Sequence, residues 1–478
     1  MLDTFFAKKI KDNFKFNPTP QQNQVIELLS RFLSSKSEGS VFLLRGYAGT
    51  GKTSLVGALV QALVGLKQKV VLMAPTGRAA KVFSSYANYP AFTIHKQIYR
   101  EKKFGADERS FDLNQNLYRD TTFIVDEASM IANQGLSAVS FGSGCLLDDL
   151  IQYVYNNQNC KLILMGDTAQ LPPVGEELSP ALVPDHLVGY GLEVHQYELS
   201  DVVRQDEASG VLFNATALRQ ALVEEQVHIL PKIKLKGFTD ISYLSGQDLI
   251  DTLSASYSRY GMDESIVICR SNKRANLYNK GIRSTVLYRE DELNTSDLLM
   301  VNKNNYFWSK AYKELDFIAN GEIIKVERLS STYELYGFRF ADATISLPDH
   351  DSYELDVKLL LNTLHTETPA LSRGEQEQLF QAILEDYADV RLKKDRIKKI
   401  KEDPHFNALQ VKYAYAITGH KAQGGQWSSV FLDQGYITKD YVDADYYRWL
   451  YTAFTRASEH LYLVNYPKGQ LEDADDLF

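Results

Sequence analysis

Gly46-Tyr47-Ala48-Gly49-Thr50-Gly51-Lys52-Thr53 follows the apolar run Val41-Phe42-Leu43-Leu44-Arg45 and opens a helical pattern that runs from Lys52 to about Gly65. This is the GxxxxGK[ST] spacing in the strand-to-helix setting that gives it meaning. Glycines let the backbone curl until successive N–H groups and the helix start converge on one point, which suits phosphate oxygens. Lys52 is then placed to reach β- and γ-phosphates, and the Thr53 hydroxyl to ligate Mg²⁺. Gly46, Ala48, Gly49, Thr50, Gly51, Lys52 and Thr53 are the candidate nucleotide-binding residues.

Outward from this loop, short runs rich in Val, Ile, Leu and Phe alternate with helical patterns: VVLMAP, a helix through Ala79 to Ser85, TTFIVDEA and CKLILMGD. Such runs are strands buried on both faces of a parallel sheet, so the region predicts a doubly wound α/β core. A second set starts near Tyr197, includes ESIVICRS, and resumes after Pro404 with KYAYAITG, VFLDQG and HLYLVNY. Between them, residues 301–348 alternate like a small antiparallel β module. The partition expected is a first α/β domain over 1–197, a second over 198–296 and 405–478, and an inserted domain over 297–404. Residues 96–118 are polar with interspersed aromatics and predict a β-hairpin. Residues 391–401 predict a basic helix, read either as a solvated face or as a phosphate contact.

Phe123-Ile124-Val125-Asp126-Glu127 completes the hydrolytic set. An apolar strand ends in two carboxylates at the edge where α/β sheets bind ligands. Asp126 is placed to hold Mg²⁺, directly or through water, and Glu127 to orient and deprotonate the attacking water. With the glycine-rich loop, this pair marks a nucleoside triphosphatase. Gln170, in Met165-Gly166-Asp167-Thr168-Ala169-Gln170, adds an amide that can sense the γ-phosphate or its water.

Composition bounds the rest. The chain has 478 residues, enough for two or three units, with 44% hydrophobic and 24% charged residues, the balance of a folded globular protein. A net charge of -9 gives no general polyanion-binding coat, although a confined basic channel would escape that average. Cys145, Cys160 and Cys269 lack CxxC spacing and read as small hydrophobes. No apolar run is long enough to span a membrane and no secretory signal is visible, so the expectation is a cytoplasmic protein.

The remaining motifs resemble those of superfamily 1 helicases of the RecD and Dda-like branch. Ala74-Pro75-Thr76-Gly77-Arg78-Ala79-Ala80 resembles motif Ia, Thr93-Ile94-His95 motif Ib, and the segment around Gln170 motif III. Val203-Arg204-Gln205 resembles motif IV, Thr418-Gly419-His420-Lys421-Ala422-Gln423-Gly424 motif V, and Tyr451-Thr452-Ala453-Phe454-Thr455-Arg456-Ala457 motif VI. They occur in family order from Gln22 to Arg456. The resemblance implies two RecA-like P-loop domains, with a hairpin insertion in the first and an SH3-like β insertion in the second.

It further implies an ATP-dependent DNA helicase that moves 5′-to-3′ on single-stranded DNA, recognises strand–duplex junctions, works as a monomer and serves repair or recombination. Arg204 and Arg456 are candidate arginine fingers for the charge that develops on the γ-phosphoryl group. Gln22 resembles the adenine-reading glutamine, although TPQQ also reads as a plain helix start. Thr76, Thr93, His95, His420 and Lys421 suit phosphate oxygens of the strand, and Trp308 could stack on a base or simply pack in a core. Phe104 and Phe111, in the hairpin, fall where the branch carries its strand-separating pin. Gln426 stands where motif V often has Glu. Two other readings stay open: a nucleotide-switched strand-binding module, and an RNA helicase of the same superfamily.

Overall fold

The computed structural model describes residues 2–101, 111–133, 142–201, 209–312, 315, 317–348, 353–368 and 370–472. Among the described residues, eighteen strands form two parallel sheets, a closed barrel and a hairpin. The chain divides into two compact units: Met1–Pro231 with Gln423–Gly425 and Lys439–Thr455, and Lys232–Ala422 with Gln426–Thr438 and Arg456–Phe478.

The first unit is built on β1 (Ser40–Gly46), β2 (Lys69–Ala74), β3 (Ala91–Thr93), β6 (Thr121–Val125), β7 (Lys161–Gly166) and β8 (Glu193–Leu199), with the short β4 (Tyr99–Glu101) and β5 (Phe111–Leu113) lying between β3 and β6 in sequence. The sheet order is β3-β2-β6-β7-β1-β8 and every neighbouring pair is parallel. β6 and β7 are buried throughout, as continuous apolar runs require when helices cover both faces. Phe42, Leu44, Leu72, Ile124, Ile163 and Met165 share one core with the helices Pro20–Ser34 and Lys52–Gly65. Parallel strands all finish at one edge, so the loops after β1, β2, β3, β6 and β7, which carry five of the motifs, leave the sheet on the same side.

The second unit holds β9 (Ile241–Leu244), β10 (Ser265–Cys269), β16 (Ala416–Thr418), β17 (Trp427–Asp433) and β18 (Ala457–Val464) in the parallel order β16-β10-β17-β18-β9. Its barrel is closed by β11 (Leu298–Val301), β12 (Ile323–Leu335), β13 (Phe338–Leu347), β14 (Tyr353–Leu360) and β15 (Leu409–Tyr413). β14 and β15 pair in parallel, which demands a long crossover, and the helices Arg373–Asp386 and Lys393–Lys401 occupy it. Asp297, fully buried where the chain enters the barrel, accepts from Arg283 at 3.0 Å, Arg289 at 2.6 Å and the Tyr415 hydroxyl at 2.8 Å.

The α/β class and the two RecA-like sheets stand as expected. The boundaries differ. β8 carries Tyr197 and pairs with β1 from Ser40↔Glu193 to Gly46↔Leu199, so it closes the first sheet, and the helix Gly210–Val223 stays with the first unit. The first boundary therefore falls near 231, not 197. The run KYAYAITG is not one strand: Leu409–Tyr413 closes the barrel and Ala416–Thr418 joins the second sheet, which moves the end of the insertion from 404 to about Tyr413. Both sides of the break are equally apolar, so hydrophobicity alone carries no mark of it. Cys160 and Cys269 are buried as read, whereas Cys145 is only half-buried. No helix among the described residues is long and apolar enough to cross a membrane.

Candidate ATP site and nucleic-acid motifs

The glycine-rich loop owes its curl to Gly49 and Gly51, whose φ values of 76° and 77° lie where a side chain is strained. Gly51 starts the helix Lys52–Gly65 without a side-chain cap, so the donors of the first turn are available to an anion. Thr50 turns inward, donating from its hydroxyl to the Tyr47 carbonyl at 2.8 Å and bracing the loop. The Lys52 ammonium donates to the Gly46 carbonyl. Thr53 is exposed at the helix start.

At the end of β6, Asp126 Oδ1 accepts the Glu127 N–H at 2.8 Å, and Oδ2 accepts the Tyr86 hydroxyl at 2.5 Å. Burial first, then the Asp126 charge, pushes the Tyr86 phenol well above its ordinary range, so it stays a donor. Glu127 sits at φ 53°, a left-handed conformation uncommon outside glycine, asparagine and aspartate, and Ser129 Oγ donates to its Oε2 at 3.5 Å. Thr53 and Asp126 are hard oxygen donors of the kind Mg²⁺ takes.

Gln170 is 7% exposed, and its Oε1 is buried with no hydrogen-bond partner among the described residues. An orphaned buried acceptor costs about 1–3 kcal/mol unless a ligand or water completes it. The loop that carries it is held at three points. Tyr451 donates to Asp167 Oδ2 at 2.6 Å and accepts the Ala48 N–H at 2.8 Å; Thr452 Oγ1 accepts the Leu171 N–H at 2.8 Å; Gln423 Nε2 donates to the Leu171 carbonyl at 2.6 Å. Motifs V and VI thus bond directly to the loops of motif III and the phosphate site.

Gln22 is 3% exposed and its amide is bonded at both ends, donating to the Thr50 carbonyl at 3.0 Å and accepting the Thr19 N–H at 3.0 Å. It forms a capping box with Thr19 and ties the helix start to the phosphate loop, so in this conformation both ends of its amide already carry a bond. Thr76 and Thr93 cap the helices Gly77–Ala87 and Ile94–Ile98, each hydroxyl accepting a backbone N–H at 3.2 Å. His95 is half-buried, and burial lowers its imidazole to about 4, so it is neutral at pH 7 and meets a phosphate only as an N–H donor. His420 is exposed. Lys421 donates to Asn320 Oδ1, and burial lowers its ammonium to about 8.

Trp308 is half-buried, its indole N–H donating to the Asn407 carbonyl at 2.8 Å and its ring meeting Phe307 edge-on at 4.8 Å. That favours packing over base stacking. The hairpin is present as β4 against β5, but Phe111 is 7% exposed in its stem, which argues against a wedge role for that ring. Phe104 and Arg204 lie outside the described residues. Arg456 is 4% exposed and belongs to the second unit.

Motif reading alone does not single out Tyr86, Gln423, Tyr451 or Thr452. The last three lie inside quoted motifs, which is a usable signal; Tyr86 has none, because only folding brings Gly77–Ala87 beside Asp126.

Residues 19–232 match the AAA domain family, and residues 413–464 match the UvrD-like helicase C-terminal domain family. These two domain matches support a helicase of superfamily 1. It is an ATP-hydrolysing enzyme. The chain is 22% identical over 504 residues to uncharacterized protein R530 of Acanthamoeba polyphaga mimivirus, covering 93% of this chain and 98% of that protein. It is also similar to a Pif1 helicase from Bacteroides solved with ADP-AlF3 and single-stranded DNA, with 14% identity, a TM-score of 0.46 and coverage of 97% and 96% of the two chains. For the Pif1 helicase from Candida albicans the identity is 16%, the TM-score 0.38 and the coverage 96% and 98%.

Proposed function

We propose that this helicase is a monomeric motor that steps 5′-to-3′ along single-stranded DNA and separates duplexes at junctions. The observation that carries the coupling is the set of bonds joining Gln423, Tyr451 and Thr452 to the loop of Gln170. A change at the γ-phosphate sensed by Gln170 reaches motifs V and VI through single hydrogen bonds, and a bistable grip on the strand at motif V would follow it.

In the hydrolytic step, the N–H groups of the phosphate loop and the Lys52 ammonium bind the phosphates, and the Glu127 carboxylate orients a water and takes its proton. Thr53 and Asp126 would hold Mg²⁺, which when bound neutralises charge on the phosphate oxygens. Tyr86 fixes the rotamer of the Asp126 carboxylate. Arg204 and Arg456 serve as the cations that stabilise the γ-phosphoryl charge. Thr76, Thr93, His95, His420 and Lys421 grip the strand backbone without reading sequence.

Direction and track follow the family resemblance, so they need direct measurement. ATPase rate is measured with and without single-stranded DNA or RNA, and unwinding is measured on partial duplexes with a 5′ or a 3′ tail. Stimulation by DNA and unwinding from the 5′ tail are expected. A rate indifferent to either strand would make the protein a nucleotide-switched binder, and stimulation by RNA alone would change the track.

A further inference from the structure

We infer that the helix Lys393–Lys401 and the adjoining Arg391 form a docking surface for the phosphate backbone of double-stranded DNA, which rests on the helicase reading and adds a duplex-binding element to it. Seven of the residues 391–401 are Arg or Lys against one acid, Asp395, in a chain of net charge -9.

Asp389, Asp395 and Glu402 lie in or beside the segment and Asp403 accepts from Tyr387 at 2.9 Å, and none of these acids forms an ion pair with Arg391, Lys394 or Lys398 among the described residues. The neighbouring helix Arg373–Asp386 carries Glu375, Glu377, Glu385 and Asp386. Glu375 closes a capping box with Ser372, Glu377 accepts from Gln381, Asp386 accepts from Tyr336, and Glu385 points to solvent. On the basic side, Arg396 is used structurally, donating to the Val390 carbonyl at 2.9 Å and the Ala388 carbonyl at 3.1 Å, and Lys399 lies over the Tyr387 ring. Arg391, Lys394 and Lys398 remain exposed, and none makes an ion pair among the described residues.

Most of the charges suit the helix, with Asp395 in the first turn and Lys398, Lys399 and Lys401 in the last. Lys394 and Lys398 stand four apart with like charge, and Lys394 stands in the first turn, at the positive end of the helix dipole.

The platform is nevertheless rigid. Ile400 is fully buried in a cluster with Phe338, Phe340, Leu379 and Ile383. At the C-terminal end, Asn407 Nδ2 donates to the Lys401 carbonyl at 2.9 Å and the Asp403 carbonyl at 2.7 Å, while the Asn407 carbonyl accepts from Trp308 and Asn305. The cations are thus held on a helix bolted to the barrel, so little ordering entropy is lost on binding.

The chemistry favours a duplex over a single strand. Residues 391–401 contain no aromatic side chain, and single-strand sites depend on aromatic stacking platforms. A duplex carries one charge per about 1.7 Å of axis. The rise from Lys394 to Lys401 is about 10 Å, which faces roughly six of those charges.

The test uses the full chain with Arg391→Gln, Lys394→Gln and Lys398→Gln combined, and a matched control with Lys8→Gln, Lys11→Gln and Lys15→Gln. Binding to a labelled blunt duplex and to labelled oligo(dT) is followed from about 50 to about 200 mM salt. The expected result is that the salt slope on duplex shrinks by about 0.9 for each phosphate no longer neutralised, while oligo(dT) binding and oligo(dT)-stimulated ATPase hold. The single variants Lys394→Gln and Lys398→Gln, each expected to lower the slope by about one such step, decide the matter if the triple variant melts early. An unchanged duplex slope overturns the proposal, as does an equal drop in the control. An equal drop on oligo(dT) overturns the duplex assignment in favour of the strand. Failure of the helicase reading itself would show separately, as wild-type ATPase that ignores single-stranded DNA.

Discussion

The Tyr451 hydroxyl donates to Asp167 Oδ2 at 2.6 Å, and both residues are 1% exposed. Burial first, then the Asp167 charge, pushes this phenol well above its ordinary range, so it keeps its proton at any working pH. The same oxygen accepts the Ala48 N–H, which makes one side chain the joint between the phosphate loop and motif III. Tyr451→Phe removes both bonds while keeping the ring. Its kcat for ATP is expected to fall about tenfold, equivalent to about 1.4 kcal/mol, with little change in KM. Steady-state ATPase assays check this; an unaltered kcat would reduce Tyr451 to packing.

Glu127→Gln keeps the shape of the site and removes the base. Nucleotide binding should persist while turnover falls by about 10² to 10⁴. Lys52→Ala should lose both. Equilibrium binding of a fluorescent ATP analogue beside single-turnover hydrolysis separates the two, and normal turnover in Glu127→Gln would remove Glu127 from the base role.

Tyr86→Phe deletes the bond to Asp126 Oδ2 and lets that carboxylate rotate. The Mg²⁺ concentration for half-maximal ATPase should rise severalfold, with kcat largely restored at saturation. A titration of activity against Mg²⁺ reads this directly. A lower kcat with an unshifted Mg²⁺ midpoint would mean that Tyr86 acts elsewhere.

Lys421 carries a pH signature. Burial lowers its ammonium from 10.5 to about 8, so it is charged below that value and neutral above it. Strand affinity should weaken as pH rises through about 8, and Lys421→Arg should flatten the step because a guanidinium stays protonated. Folding stability moves the other way. A depressed lysine disfavours its proton in the fold, so the penalty is full below about 8 and fades as pH climbs toward 10.5. Binding of oligo(dT) against pH in both proteins is the check.

Phe111 and Phe104 call for different tests. Phe111 is buried in the stem, so Phe111→Ala should cost about 3–5 kcal/mol and lower the melting temperature. Phe104→Ala should lose unwinding while keeping strand-stimulated ATPase if the pin lies there. Equal unwinding by a normally folded Phe104→Ala variant would end the pin reading for that residue.

The hydrolytic site is legible in the sequence because its residues are local: Gly46 to Thr53, Asp126 and Glu127 follow strand ends in a parallel sheet, and a parallel sheet delivers every strand end to one edge. Spacing alone therefore locates the phosphate loop and the paired carboxylates. Gln22 shows the limit of motif reading, since the same TPQQ suits a base contact or a capping box, and only the fold shows that the capping box forms.

By itself the sequence determined two α/β sheets, a β insertion and a phosphate-binding loop, because periodicity and glycine spacing act over a few residues, and it carried the ordered motifs on which the helicase resemblance rests. Only the tertiary structure decided that β8 closes the first sheet, that Leu409–Thr418 breaks between barrel and sheet, and that Tyr86 and Tyr451 hold the carboxylates of Asp126 and Asp167. Those hydrogen bonds join residues 40 and 284 positions apart, and no local pattern encodes a partner at such a distance.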